Sequence, residues 1–145
     1  MRADLAFLRG EQPLVLVEAK GRPLPDRLAN GMVSRLLNLA ARTTARWLVI
    51  SDPQAIRVYP ITREGNPPGR VTTIPIAAVR ETINLTEAEG VWGDRALLFA
   101  TELWLRLLAS DKNAFPDQAE LRLLAEDLGA TEPVFEYDTD KLDTG

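Results

Sequence analysis

The 145-residue chain contains no cysteine and no histidine. Without Cys there are no disulfides, thiol nucleophiles or iron–sulfur clusters. Without His there is no Ser-His-Asp or Cys-His catalysis and no imidazole base. The two absences together exclude an ordinary zinc centre. Lysine is scarce as well: 3 Lys stand against 14 Arg, and Lys20 is the only one before Lys112. No apolar run approaches the ~20 residues that cross a bilayer. Leu5-Ala6-Phe7-Leu8 is too short for the core of a secretion signal, and Arg9 follows it. A cytoplasmic protein with no membrane partner is therefore expected. Any chemistry must come from carboxylates, Lys, Arg and hydroxyls, helped by a hard cation such as Mg²⁺ or Mn²⁺.

What is present is a globular composition, 46% apolar and 26% charged, of a length that suits one domain core. The net charge of −4 conceals an asymmetry. Residues 1–70 carry 11 Lys+Arg and 6 Asp+Glu, net +5, whereas residues 71–145 carry 6 and 15, net −9. Such a split points to two different surfaces, and the basic half suits a polyanion; a solvated surface of drifting composition would give the same count.

The pattern alternates strand and helix. Leu5–Leu8 and Leu14–Val17 are short apolar runs joined by a turn around Gly10, the signature of a β-hairpin. Residues 24–45 read as an amphipathic helix opened by Pro25, with Leu28, Met32 and Leu36 in one row. Gly31 inside it predicts either a break or a close approach to the sheet. Trp47–Ile50 and Ala55–Ile61 read as strands around a Ser51-Asp52-Pro53-Gln54 turn. Residues 62–70, with Arg63 and Arg70, read as a loop. Val71–Ile76 reads as an extended segment at an edge, marked by Pro75. Thr86 and Glu89 fit a capping box, and Trp92 between two glycines has no evident role. Asp94 opens a helix to about Ala109, and Pro116-Asp117 opens another that Gly129 closes. The acidic tail from Thr131 is expected to be frayed.

Asp4, Glu18 and Lys20 form the constellation that carries chemistry. Glu18 and Lys20 are two apart on one strand and share a face. A three-residue loop Gly10-Glu11-Gln12 would pair Arg9 with Pro13 and bring Asp4 opposite Glu18. A two-residue Gly10-Glu11 turn would oppose Asp4 to Val17 unless a bulge intervened. Two adjacent carboxylates invite a divalent cation, and Mg²⁺ completes its shell with water and phosphate oxygens. An ammonium beside them stabilises charge on a reacting phosphate.

Asp4, thirteen intervening residues and then Glu18-Ala19-Lys20 at the end of an apolar strand resembles the signature of the PD-(D/E)XK nuclease superfamily. The run Arg46-Trp47-Leu48-Val49-Ile50-Ser51-Asp52, continuing to Ile56-Arg57-Val58-Tyr59, is similar to its counterpart in the nuclease domains of type I restriction subunits and related uncharacterised proteins. The resemblance covers residues 3–61. It implies an α/β restriction-endonuclease-like fold, a mixed sheet with flanking helices, to which this chain adds a helical C-terminal extension. It implies that Asp4 and Glu18 ligate Mg²⁺ or Mn²⁺ with the Ala19 carbonyl, and that Lys20 is the catalytic lysine. The further polar residue that members place on the next helix, often Gln, would here be Arg35 or Asn38. Two departures stand out. Ala3 occupies the place of a frequent Pro. The superfamily also has a helix, often with an acidic residue, and a first strand ahead of the Asp strand, where this sequence has three residues. A core lacking its first strand, with an exposed edge, is expected.

The expected organisation is an α/β core over residues 1–80, a helical extension packed on it over 81–130, and a flexible acidic tail over 131–145. The expected function is metal-dependent hydrolysis of phosphodiester bonds in DNA, or RNA, in restriction, defence or repair, within an oligomer or larger restriction-type assembly. Arg27, Arg35, Asn38 and Arg42 are the nucleic-acid-binding candidates. The alternative is a non-catalytic or truncated domain of the same fold that binds nucleic acid or a protein partner.

Overall fold

A computed structural model describes residues 1–23, 26–61, 71–83, 93–111 and 118–139, with the side chains of 26–30 excepted. Pro25, Arg63, Arg70, Thr86, Glu89, Trp92, Pro116, Asp117 and the Arg27 side chain lie outside the described residues.

The fold is mixed α/β. Among the described residues six strands run β1 (Arg2–Arg9), β2 (Gln12–Ala19), β3 (Trp47–Ser51), β4 (Ala55–Pro60), β5 (Thr72–Pro75) and β6 (Glu132–Asp138). Four helices accompany them: α1 (Asp26–Ala40), α2 (Ile76–Thr82), α3 (Asp94–Ser110) and α4 (Ala119–Leu128). The sheet order is β5-β4-β3-β2-β1-β6. The β2–β3 pair is parallel, joined through α1, and every other pair is antiparallel.

The central strands are apolar on both faces because both faces are covered. On one face Ala6, Leu16, Leu48 and Ile50 pack with Leu36 and Ala40 of α1. On the other, Leu5, Val15, Val17 and Val49 pack with α2, α3 and α4, including the fully buried Trp104, Leu121 and Leu124. Helix α4 is tied to β3 by Asp127, which accepts from Trp47 Nε1 at 2.7 Å and pairs with Arg46 at 3.0 Å.

Helix α1 runs unbroken through Gly31, and a Cβ added there would meet nothing within 4 Å. Neither a break nor a close approach explains that glycine. The helix ends at Ala40 rather than near Ala45, because Thr43 and Thr44 turn the chain. Their hydroxyls donate to the carbonyls of Ala40 at 2.7 Å and Pro13 at 2.9 Å.

The expected flexible tail over 131–145 is corrected in its first part. Residues Glu132–Asp138 form β6, paired along the outer edge of β1 from Arg2↔Asp138 to Leu8↔Glu132. The expected bare edge of β1 is therefore covered from the far end of the chain. Pairing satisfies the β1 backbone groups that would otherwise stay open, and it outweighs the acidic composition that reads as tail. Both edge strands carry a proline, Pro75 in β5 and Pro133 in β6, where a missing ladder donor costs least. No helix among the described residues is long and apolar enough to cross a membrane.

Candidate functional site

The hairpin register sets the site. Its turn has two residues, not three: Arg9 pairs with Gln12, and Gly10 adopts φ 64° at the first central position, a conformation that favours glycine. That turn alone would put Asp4 opposite Val17. The register shifts by one between Phe7 and Leu8, so Phe7 pairs with Val15 and Leu5 with Val17. The shift leaves Leu14 as the extra residue of a β-bulge and carries Asp4 opposite Glu18. Two deviations from the expected hairpin cancel, and the two carboxyls meet.

Asp4 Oδ2 accepts the Ala19 backbone N–H at 2.8 Å, which orients its carboxylate toward the end of β2. Glu18 is 6% exposed, the deepest of the three candidates. Burial, and next the charge of Asp4 and the hydrogen bond the two carboxyls share, push the Glu18 pKa up to about 8, while Lys20 pulls the other way. Lys20 Nζ stands 3.9 Å from Glu18 Oε2 with its side chain 42% exposed, close enough to feel the pair and open enough to meet a ligand.

Lys20 stands between two cavities. One, of about 450 Å³, is bounded by Asp4, Ala19 and Lys20 together with Arg95, Phe99 and Phe135. The other, of about 380 Å³, is bounded by Glu18 and Lys20 with Arg35, Met32 and Leu36 of α1. Arg35 is thus brought to the site. Asn38 and Arg42 are exposed and border neither cavity. The reason is the helix face: Met32, Arg35, Leu36 and Leu39 share the side of α1 that borders the Glu18–Lys20 cavity, Asn38 falls off that side, and Arg42 lies beyond the helix end at Ala40.

The strand end after Lys20 is held by two contacts. Lys20 N donates to Ser51 O at 2.8 Å, tying β2 to β3. Gly21 N donates to Asp94 Oδ1 at the start of α3. A Cβ on Gly21 would lie 2.7 Å from Asp94 N and 3.1 Å from Gly93 C, so only glycine permits this approach. Asp94, Arg95, Phe99, Phe135 and Glu136 all reach the site from the acidic half, and none was expected there. Their one sequence signal was the Gly21 that follows Lys20, which marks a close approach without naming the partner.

The donor set is two adjacent carboxyls and the backbone at Ala19. Among the described residues no group of three or more acidic side chains is arranged around a common point. Two carboxylates nevertheless suffice for Mg²⁺, which keeps several waters and takes its remaining oxygens from phosphate. A divalent cation between the half-buried Asp4 and the buried Glu18 would displace the Glu18 proton and offset the repulsion between two ionised carboxylates. No family model matches the chain, and the searches of curated proteins and of solved structures also found no match.

Proposed function

We propose that the chain is a divalent-cation-dependent nuclease that hydrolyses phosphodiester bonds of DNA, on a restriction-endonuclease-like core of the PD-(D/E)XK type. The observation that carries this reading is the bulged register that brings the Asp4 and Glu18 carboxyls together beside Lys20. Support also comes from the outer edge of β1. The superfamily expects a helix and a strand ahead of the Asp strand, and here α4 followed by β6 supplies a helix and a strand beside β1 from the opposite end of the sequence.

Asp4 and Glu18 hold the cation, with Ala19 contributing backbone. When bound, Mg²⁺ or Mn²⁺ acidifies a water and polarises a phosphoryl oxygen. Asp4 is kept in its orientation by the Ala19 N–H. Cation binding would require Glu18 to give up its proton, so the buried Glu18 carboxyl would carry charge only in the loaded site. Lys20 presents an ammonium to the anionic phosphate and stabilises the charge that grows there. Arg35 reaches the same strand end from α1 and offers a second phosphate contact.

The test is cleavage of DNA by the purified protein in Mg²⁺, in Mn²⁺ and in EDTA, beside Lys20→Ala. Cleavage that needs the cation and falls by about a hundredfold or more in Lys20→Ala supports the reading. Equal activity of the two proteins overturns it.

A further inference from the structure

Two aromatic rings stand exposed on the surface next to the proposed metal site. Phe99 of α3 is 53% exposed and Phe135 of β6 is 39% exposed. Their ring centroids are 5.6 Å apart with the planes tilted by 56°. Both border the same cavity of about 450 Å³ that holds Asp4 and Lys20, with Leu98 on its wall. The rings come from elements 36 residues apart in sequence, and they meet only because β6 pairs with β1 beside α3. Two carboxylates at this cavity are already engaged: Asp94 with the Gly21 N–H and Glu136 with Arg2 at 3.4 Å. Arg95 at the same cavity has no ion-pair partner among the described residues. The cavity thus brings apolar aromatic side chains together with the Lys20 and Arg95 cations, Arg95 one turn from Phe99 on α3, with Asp4, Asp94 and Glu136 also on its lining.

We propose that Phe99 and Phe135 form a stacking platform for an unpaired nucleobase, and that the DNA taken by this site is single-stranded or locally unpaired. The inference deepens the nuclease reading and rests on it for the place of the scissile phosphate. A phosphate at Lys20 has its neighbouring base within the same cavity, and an exposed aromatic ring is what such a base recognises. In a duplex the base is stacked and paired, so the platform can engage it only after that pairing is given up. Arg95 and Lys20 meet the flanking phosphates.

Binding in EDTA separates this inference from the nuclease reading, because no cleavage occurs there on that reading. Fluorescence anisotropy is measured with a labelled single-stranded DNA, its matching duplex and a strand of the same phosphates without bases. The wild-type protein is expected to bind the single strand about tenfold more tightly than the baseless strand. Phe99→Ala and Phe135→Ala each remove most of that preference, while Phe99→Trp keeps it. Both rings are substantially exposed, and circular dichroism checks that the variants remain folded. Equal affinity of the wild type for the intact and baseless strands overturns the proposal, as does binding to neither. An unchanged preference in both Ala variants also overturns it, and leaves the exposed row Phe99, Leu103 and Leu107 of α3 as a protein contact. A preserved preference without cleavage in Mg²⁺ overturns the nuclease reading and leaves the platform standing.

Discussion

The Asp4 carboxylate accepts the Ala19 N–H at 2.8 Å across the first hairpin, and the same carboxyl lies against that of Glu18. Asn at position 4 can accept the same N–H but carries no charge. Asp4→Asn is expected to keep the fold, bring the Glu18 pKa down from about 8 and reduce cation-dependent cleavage by about a hundredfold or more. An NMR titration of the Glu18 carboxyl and a cleavage assay check the two effects. A Glu18 pKa that stays up in the variant would assign the shift to burial alone.

The raised Glu18 pKa makes stability depend on pH. Between the ordinary carboxyl value of 4.5 and about 8, the folded protein holds a proton that the unfolded chain has lost. The cation-free protein is therefore most favoured by this group at low pH, and loses that contribution as pH rises through about 8. The direction opposes that of most acidic proteins. Thermal unfolding in EDTA across this range, for wild type and Glu18→Gln, isolates the contribution, which should flatten in the variant.

Cation binding must displace the same proton. Mg²⁺ affinity is expected to rise with pH up to about 8, with close to one proton released per ion bound at neutral pH. Isothermal titration in buffers of different ionisation enthalpy measures the release. Binding with no proton release would show that the cation does not engage Glu18.

Gly21 and Gly31 should respond to alanine in opposite senses. Gly31 faces open space within a helix, so Gly31→Ala is expected to stabilise by about 1 kcal/mol. At Gly21 the added carbon would meet the Asp94 backbone at 2.7 Å, so Gly21→Ala is expected to destabilise by about 1–3 kcal/mol and to disturb the strand end that carries Lys20. Denaturant midpoints give both signs. Loss of activity should accompany only the second.

Asp127 joins α4 to β3 far from the cavity at Lys20, through Trp47 Nε1 and Arg46. Asp127→Ala leaves the indole N–H without its acceptor and is expected to cost about 1–3 kcal/mol. Cleavage at a temperature where the variant is folded should be unchanged. A drop in turnover there would link α4 to the site.

Much of this was legible in the residues. Apolar runs at Leu14–Val17 and Trp47–Ile50 announce buried strands, because a strand covered on both faces needs no alternation. Glu18 and Lys20 share a face by strand period alone. Asp4 was harder, since the pairing depended on a bulge at Leu14 that no residue type there advertises. The place of Arg35 at the site, rather than Asn38 or Arg42, followed from which face of α1 packs beside the end of β2 and from the helix ending at Ala40.

By itself, then, the sequence determined the chemistry on offer: no thiol, no imidazole, two carboxyls and a lone early lysine at the mouth of an apolar strand. Local rules of period, turn and cap suffice for that, because they act over a few residues. Only the tertiary structure decided what surrounds those groups. It turned an acidic tail into β6, covered the edge of β1, and brought Asp94, Phe99 and Phe135 to a strand end more than seventy residues away. Such contacts arise from hydrogen bonding and burial between distant segments, for which sequence order carries no local signal.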